Sequence, residues 1–287
     1  MKKFLLSIFI VLFILMSPGN YQFIQASYGV QAILPENQVS QASYFDIELT
    51  PGETQILEVN VFNEFDEEIT VLIEAHPGVT NVNGLVVYDG SLDIASSTNE
   101  IDFYTVVEVL DKELTIPANS ETIAQIEVTA PDNSFDGEIG GGLNFSLKPD
   151  EEKETAGIGH TFGYVTGLYI VEEGNDTEVE PEVVLNDASY LMYYGDPSVQ
   201  LDFENLQPLF MSDLEFEARV YSEDNPDEPV FTDTISALDI APSYEFSLIV
   251  SSEEEKLDEG EYRVEISMKN DDYNNTFEKV FTVSHDE

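Results

Sequence analysis

The chain has 287 residues, with 58 Asp and Glu against 10 Lys and Arg, no Cys and no Trp, for a formal net charge of −48. This acid excess argues against nucleic-acid binding, which draws its affinity from Lys and Arg on phosphates, and against attraction to anionic lipid. Zero Cys rules out disulfides and thiolate-held metals, while a hydrophobic content of 42%, near the globular norm of about 45–50%, leaves enough apolar residues for a core.

Met1-Lys2-Lys3 is a short basic start, and the apolar run Phe4 to Met16 is interrupted only by Ser7. That run is shorter than the roughly 20 residues of a spanning helix. Pro18-Gly19 then breaks it, and Ile24-Gln25-Ala26 offers a small residue at a cut position. The segment reads as a secretory signal peptide, residues 1–26, cleaved after Ala26; the alternative is an uncleaved membrane anchor. Cleavage removes Lys2 and Lys3 and no acid, moving the charge from −48 to −50. No second apolar run of spanning length follows, and Val283 to Glu287 is polar. Neither a transmembrane anchor in the mature chain nor a wall-sorting pattern is expected.

From residue 27 onward the hydrophobic period is two. Pro51-Gly52 suits a type II turn. Leu57, Val59 and Val61 alternate with Glu58, Asn60 and Phe62, and Ile69, Val71, Ile73 and Ala75 with Thr70, Leu72 and Glu74. Each reads as a strand with one buried and one wetter face. His76, before Pro77-Gly78, reads as a turn residue. Asn83-Gly84 and Asp89-Gly90 bracket a short strand, Leu85–Tyr88, as hairpin turns. Ser96 to Tyr104 has room for one short helix. Alternation resumes at Ala124, Ile126 and Val128.

Gly140, Gly141 and Gly142 then stand inside a strand-rich region, where glycines mark a bulge or a close backbone approach. Two causes fit: a ligand or partner peptide lying on the backbone, or close strand packing. Lys148-Pro149 and the acidic stretch to Gly157 lack any apolar period and read as a linker. Further strands follow at Val199, Leu201 and Phe203, at Leu214, Phe216, Ala218 and Val220, and at Tyr262, Val264, Ile266 and Met268. Leu257 to Tyr262 fits either a tyrosine corner, whose hydroxyl bonds back to nearby backbone, or a plain Gly turn before a core Tyr.

The fold expected is all-β: two immunoglobulin-like antiparallel β-sandwich domains after the signal peptide. The first covers 27–149, an acidic linker 150–157, and the second 158–284. Each is near the roughly 100 residues of one such sandwich.

Catalysis finds little support. His76, His160 and His285 are far apart, with no HExxH, GxSxG or P-loop pattern. The acidic clusters at 172–176, 223–228 and 270–272 do not match a spaced calcium loop. No cofactor is implied beyond weak, non-specific Ca²⁺ association.

Several strings resemble one family. Tyr28-Gly29-Val30 with Leu34-Pro35-Glu36-Asn37-Gln38 is similar to its opening, followed in order by Tyr44-Phe45-Asp46-Ile47, Pro51-Gly52-Glu53-Thr54-Gln55 and Thr80-Asn81-Val82-Asn83-Gly84 with Tyr88. Phe135-Asp136-Gly137-Glu138 with Gly140 to Gly142 is similar to its glycine-rich segment. Ala241-Pro242-Ser243, Leu257 with Gly260-Glu261-Tyr262, and Phe277-Glu278-Lys279-Val280-Phe281 resemble its downstream domain. The family is that of the WxL-interacting proteins of Gram-positive cell surfaces. Three features depart from its pattern: Ser243 follows Pro242 without the usual Asn, Thr276-Phe277 stands where a Trp is usual, and no transmembrane helix precedes Glu287.

The resemblance implies two immunoglobulin-type sandwiches, the first binding peptidoglycan and the second host or matrix proteins, with the whole associating with WxL-domain surface proteins. The expected protein is a non-catalytic, exported adaptor, at the surface or wall of a Gram-positive bacterium or released to the medium. Wall polymers are largely anionic, so contact must come from short-range groups. The candidates are Glu36, Asn37, Gln38, Thr80, Asn81 and Asn83 as hydrogen-bonding groups, Tyr44 and Tyr88 as stacking faces, and Gly140, Gly141 and Gly142 as open backbone. A different class of function, a two-sandwich chaperone binding partner strands by β-addition, lacks the basic residues expected to hold a partner's terminal carboxylate.

Overall fold

The computed structural model describes residues 28–91, 101–149, 163–242, 244–252 and 257–284. The signal segment 1–26, the acidic stretch 150–157, His160, His285 and most of the expected Ser96–Tyr104 helix lie outside them.

Alternation becomes strands as the period demands. In the first half these are β1 (Tyr28–Ile33), β2 (Phe45–Leu49), β3 (Thr54–Asn63), β4 (Ile69–Pro77), β5 (Val79–Thr80), β6 (Val86–Val87), β7 (Val107–Val109), β8 (Glu113–Ile116), β9 (Ser120–Thr129), β10 (Ile139–Leu147) and β11 (Gly163–Glu172). One short helix, α1 (Phe103–Val106), is capped by the Asp102 carboxylate accepting from the Tyr104 N–H. A sheet ordered β1-β3-β9-β7 faces one ordered β2-β11-β10-β4-β8. Val59, Val61, Ile126 and Val128 of the first meet Ile47, Ile73, Leu143 and Phe145 of the second in one core.

The second half contains β12 (Val183–Tyr193), β13 (Asp196–Asn205), β14 (Met211–Ser222), β15 (Asn225–Ile240), β16 (Glu245–Ser251), β17 (Gly260–Lys269) and β18 (Asn274–Val283). Its sheets run β12-β13-β16 and β15-β14-β17-β18, around Leu201, Phe203, Phe216, Val220, Leu248 and Val264. The expected all-β fold of antiparallel sandwiches is what the chain adopts. The strand orders also match: β1-β3-β9 corresponds to β12-β13-β16, and β8-β4-β10-β11 to β15-β14-β17-β18. The chain contains the same sandwich twice.

The division between them differs from the expected linker at 150–157. β11 lies beyond that stretch, yet it pairs antiparallel with β10 and parallel with β2, and its Leu168 and Ile170 are fully buried in the first core. The acidic stretch therefore connects two adjacent strands of one sheet. The crossing between sandwiches is 173–182. Composition alone does not distinguish a loop within one sandwich from a linker between two.

His76 sits on β4 rather than in a turn, and the expected strand Leu85–Tyr88 shortens to Val86–Val87, paired with Val79–Thr80. The Tyr262 hydroxyl donates to the Asp258 carbonyl at 2.9 Å, so Leu257 to Tyr262 is a tyrosine corner.

The sandwiches stack head to tail. β3 ends at the pole of the first that faces away from the second, whereas the matching β13 ends at the joint. There the β5–β6 hairpin of the first sandwich meets the open seam between β15 and β16 of the second. The Asp239 N–H donates to the Gly84 carbonyl at 2.9 Å and the Ile249 N–H to the Val82 carbonyl at 3.1 Å. Among the described residues, no helix is long and apolar enough to cross a membrane.

Candidate functional site

Along β10, alternation sends Gly141, Leu143 and Phe145 toward the core and Gly140, Gly142 and Asn144 toward the outer face of the five-stranded sheet. Gly142 stands opposite His76 of β4 on one side and Gly167 of β11 on the other. This row has almost no side chains between its ends, so rings from elsewhere lie directly on the backbone. A Cβ on Gly142 would stand 2.7 Å from the Tyr88 Cβ, and one on Gly167 would stand 3.5 Å from the Tyr44 side chain. One on Gly140 would enter the Phe210 ring, which comes from the second sandwich. Gly141 faces the other way, where a Cβ would strike the Phe103 ring and the His76 carbonyl. Close packing of rings explains all three glycines.

The rings form a chain. Tyr44 and Tyr169 have centroids 5.4 Å apart, Tyr169 and Phe210 5.0 Å apart, and the Tyr88 and Tyr169 hydroxyls share a hydrogen bond of 2.6 Å. Burial, then that hydrogen bond, pushes the Tyr88 phenol well above its ordinary range. Burial also raises Tyr169. The Asn144 side-chain amide donates to the Tyr88 carbonyl and holds this segment on the sheet.

At its two ends the strip is open. Tyr44 is 39% exposed beside Gly167, and Val165 is 52% exposed next to Gly142. At the far end His76 Nδ1 is 3.2 Å from the Tyr104 hydroxyl, whose ring is 52% exposed. Burial, followed by the charges of Asp102 and Glu74, raises the Tyr104 phenol. The result is a shallow strip with exposed aromatics at both ends and, between them, glycines covered by Tyr88, Tyr169 and Phe210.

The sequence candidates fall into three groups. Tyr44, Tyr88, Gly140 and Gly142 meet in this strip, with Gly141 behind it. The Asn37 amide donates to the Glu48 carbonyl at 2.6 Å and to Gln55 Oε1 at 2.9 Å. The Gln38 side chain bonds the Tyr44 carbonyl at 2.9 Å and the Asp46 N–H at 3.3 Å. Both thus hold the loop that carries Tyr44, and Glu36 is exposed on it. Thr80, Asn81 and Asn83 lie at the joint instead. Thr80 is 5% exposed; its hydroxyl donates to the Asp239 carbonyl at 3.2 Å and accepts from the Ala241 N–H at 2.9 Å. Asn81 Oδ1 accepts from the Asn83 and Leu85 N–H groups at 2.9 and 3.1 Å, shaping the hairpin turn.

Sequence reasoning missed Tyr169, Val165, Tyr104 and Phe210, as well as Glu138. The Glu138 N–H donates to the Pro208 carbonyl at 2.7 Å and its carboxylate accepts from the Phe210 N–H at 3.3 Å. Burial raises its pKa, and the Phe210 bond works against that. For Tyr169 the available signal was Gly167 two residues before it, since a bare strand position next to an aromatic invites ring packing. Nothing in the sequence marks Phe210.

Two of the acidic clusters, 172–176 and 270–272, serve as clamps. The Glu172 carboxylate accepts from the Ser134 hydroxyl at 3.0 Å and the Phe135 N–H at 2.6 Å. Asn175 donates to the Phe135 carbonyl at 2.8 Å, and Asn270 Oδ1 accepts from the Asp272 and Tyr273 N–H groups. Among the described residues, no three or more His, Cys, Asp or Glu side chains are grouped to hold a metal ion. A cavity of about 780 Å³ at the joint is bordered by Asp136, Glu178, Glu180 and Glu182.

The two glycine orientations make a paired prediction. Gly141→Ala overpacks the first core and is expected to cost about 2 kcal/mol, seen as a lower melting temperature by calorimetry. In Gly140→Ala the new methyl meets the Phe210 and Tyr169 rings, so the expected change is a looser joint, read as faster proteolysis within 173–182. Equal loss of melting temperature in both would contradict the assignment of faces.

Residues 28–147 match the family model described as "WxL Interacting Protein, peptidoglycan binding domain", and residues 153–287 match "WxL Interacting Protein, host binding domain". Among curated proteins none matches the chain. Solved structures of related shape include the class 5 fimbriae chaperone CfaA, 11% identical, covering 88% of this chain and 99% of that one at a TM-score of 0.33. Two others are the YadV chaperone (10% identical, 88% and 99%, TM-score 0.35) and the E. coli chaperone DraB (12% identical, 90% and 96%, TM-score 0.33). Likeness at these scores carries no argument about function.

Proposed function

Because the chain belongs to the WxL-interacting protein family, matching both of its domain descriptions in order, we propose that it is a non-catalytic, exported adaptor of the Gram-positive cell surface. Its first sandwich binds peptidoglycan, its second contacts host or matrix proteins, and the whole associates with WxL-domain surface proteins. The observation that carries the peptidoglycan part is the open aromatic strip, Tyr44 and Val165 at one end and Tyr104 with His76 at the other, on the sandwich that matches the peptidoglycan-binding description.

Physical reasoning supports a shallow strip over a deep pocket. A glycan strand is a long polymer, and sugar faces pack on Tyr rings while the amides and hydroxyls between them take hydrogen bonds. The protein carries −48 and the wall is largely anionic, but repulsion fades beyond about 8 Å at physiological salt. Short-range contact therefore has to supply the affinity. Asn37 and Asn81 are not part of this proposal, because their side-chain amides serve the loop and the hairpin turn, and Asn83 lies in that turn at the joint, away from the strip.

The test is co-sedimentation of the full chain with purified sacculi. The double variant Tyr44→Ala, Tyr104→Ala removes both exposed rings and is expected to weaken binding about tenfold, with melting little changed because both rings are half exposed. Retention within about twofold would move the site elsewhere.

A further inference from the structure

The second sandwich exposes one aromatic ring far more than any other. Tyr194 is 93% exposed, whereas the other exposed large apolar side chains among the described residues lie between 38% and 56%. It is the first residue of the two-residue turn joining β12 to β13, between the paired Tyr193 and Asp196. Its φ is +50° and that of Gly195 is +101°, the left-handed pair of a type I′ hairpin turn. Asn or Asp followed by Gly is the preferred pairing there, and a bulky side chain at positive φ is strained. The sequence thus places a strained, solvated Tyr where Asn would fold better and dissolve better. Such a departure, when observed, is a reason to look for function.

The ring is also braced. Tyr193 stacks edge-on against it with centroids 4.5 Å apart. Two mutually packed aromatics make an apolar prong with little conformational entropy left to lose.

Registers place this prong at the pole of the second sandwich opposite the joint. Ser198 pairs with Ser251, Ser222 with Asn225 and with Tyr262, and Gly260 with Val283, so the C-terminal ends of β12, β14 and β16 share that pole. Asp196, Glu223, Asp224, Asp258 and Glu259 stand on it. Among the described residues, Arg263 near this pole already pairs with Glu223, Glu265 and Glu278. An apolar prong in an acidic collar repels anionic lipid and anionic wall polymers, and it complements a protein surface of the opposite pattern.

We infer that the Tyr193-Tyr194 turn is the anchor with which the second sandwich seats itself in a host or matrix protein, in an apolar socket rimmed by Lys and Arg. This rests on the host-protein part of the proposed function and names its contact. The head-to-tail stack separates the two contacts: the strip lies on the first sandwich beside the joint, where Phe210 packs on Gly140 and Tyr169, and the prong lies at the pole of the second sandwich that faces away from the joint.

The experiment measures binding of the full chain to immobilised fibronectin, fibrinogen and laminin by biolayer interferometry at low and physiological salt. The variants are Tyr194→Asn, Tyr194→Phe and, as an apolar control on the first sandwich, Ile56→Asn. Tyr194→Asn suits the turn, so its melting temperature is expected to equal or exceed that of the parent, which separates lost binding from lost folding. The inference expects one of the three proteins to be bound, more weakly as salt rises. Tyr194→Asn should weaken that binding roughly thirtyfold, as for an aromatic hot spot, while Tyr194→Phe and Ile56→Asn stay within about threefold. If the parent binds and Tyr194→Asn binds equally well, the prong is overturned and host binding stands. If the parent binds none of the three, host binding fails and the prong falls with it.

Discussion

A fragment ending at Pro149 is expected not to hold a cooperative fold, whereas one extended to residue 178 is expected to melt as a single sandwich. The reason is β11. It lies between β10 and β2, so its removal exposes both as edges and leaves β2 with no ladder partner apart from the isolated bridge of Gln38 with Ile47. Leu168 and Ile170 are fully buried, and burying two such side chains contributes about 4 kcal/mol. Tyr164 adds an edge-on contact to Tyr28 at 4.9 Å, and its hydroxyl donates to the Tyr28 carbonyl at 2.8 Å. A domain of this size is stable by only about 5–15 kcal/mol in total, so losing one central strand removes most of the margin. Calorimetry and gel filtration of the two fragments would decide. A cooperative transition in the shorter one at a similar temperature would show that β11 is a passenger.

The same strand shows where the sequence was legible. Leu57 to Val61, Leu201 to Phe203 and Leu214 to Val220 announce themselves through period two, because one face of each is buried and the other wet. The tyrosine corner was legible as a pattern with two readings, and the Tyr262 bond to Asp258 chose between them. Gly140 to Gly142 were legible as a close approach, since glycine inside a strand has few other causes. The allegiance of β11 was not, because Leu168 and Ile170 carry the right alternation for either sandwich. The joint was hidden for a related reason. Thr80 and Asp239 are far apart in sequence, and nothing local tells a polar residue that will be covered by a second domain from one that will face a ligand. Hence Thr80 looked like a contact for a partner, and its hydroxyl meets Asp239 and Ala241 of the other half of the chain, while Asn81 shapes the hairpin that carries it. Tyr44 and Tyr88 lie on one face with Tyr169 and Phe210, which come from strands and loops that no spacing could connect.

Asn63→Ala and Asn205→Ala are each expected to cost about 3 kcal/mol, from buried carbonyls and an N–H left without partners. For a domain of this size that is on the order of a 10 °C fall in melting temperature. The two residues hold equivalent places in the repeated fold, at the ends of β3 and β13, and are 2% and 0% exposed. Each donates from Nδ2 to a carbonyl four residues on, Glu67 at 2.9 Å and Leu209 at 2.9 Å. Each accepts at Oδ1 from an N–H two residues on, Phe65 at 2.8 Å and Gln207 at 3.1 Å. Each also reaches the opposite sheet, Asn63 at the Ile116 carbonyl (3.1 Å) and Asn205 at the Ala241 carbonyl (3.0 Å), and a Pro follows in both cases. One amide therefore closes a tight turn and ties two sheets together. Asp is no substitute, because it keeps the acceptor, loses the donor and sets a buried charge against carbonyl oxygens. The two variants should nevertheless differ. The loop held by Asn63 lies at the free pole, whereas the loop held by Asn205 carries Pro208 and Phe210, which grip Glu138 and Gly140 of the first sandwich. Asn205→Ala is therefore expected to release the joint as well, with faster cleavage inside 173–182, and Asn63→Ala to leave that cleavage unchanged. If both variants melted within about 2 °C of the parent, water would have to be replacing the amide, and the sheets would be held by their cores alone.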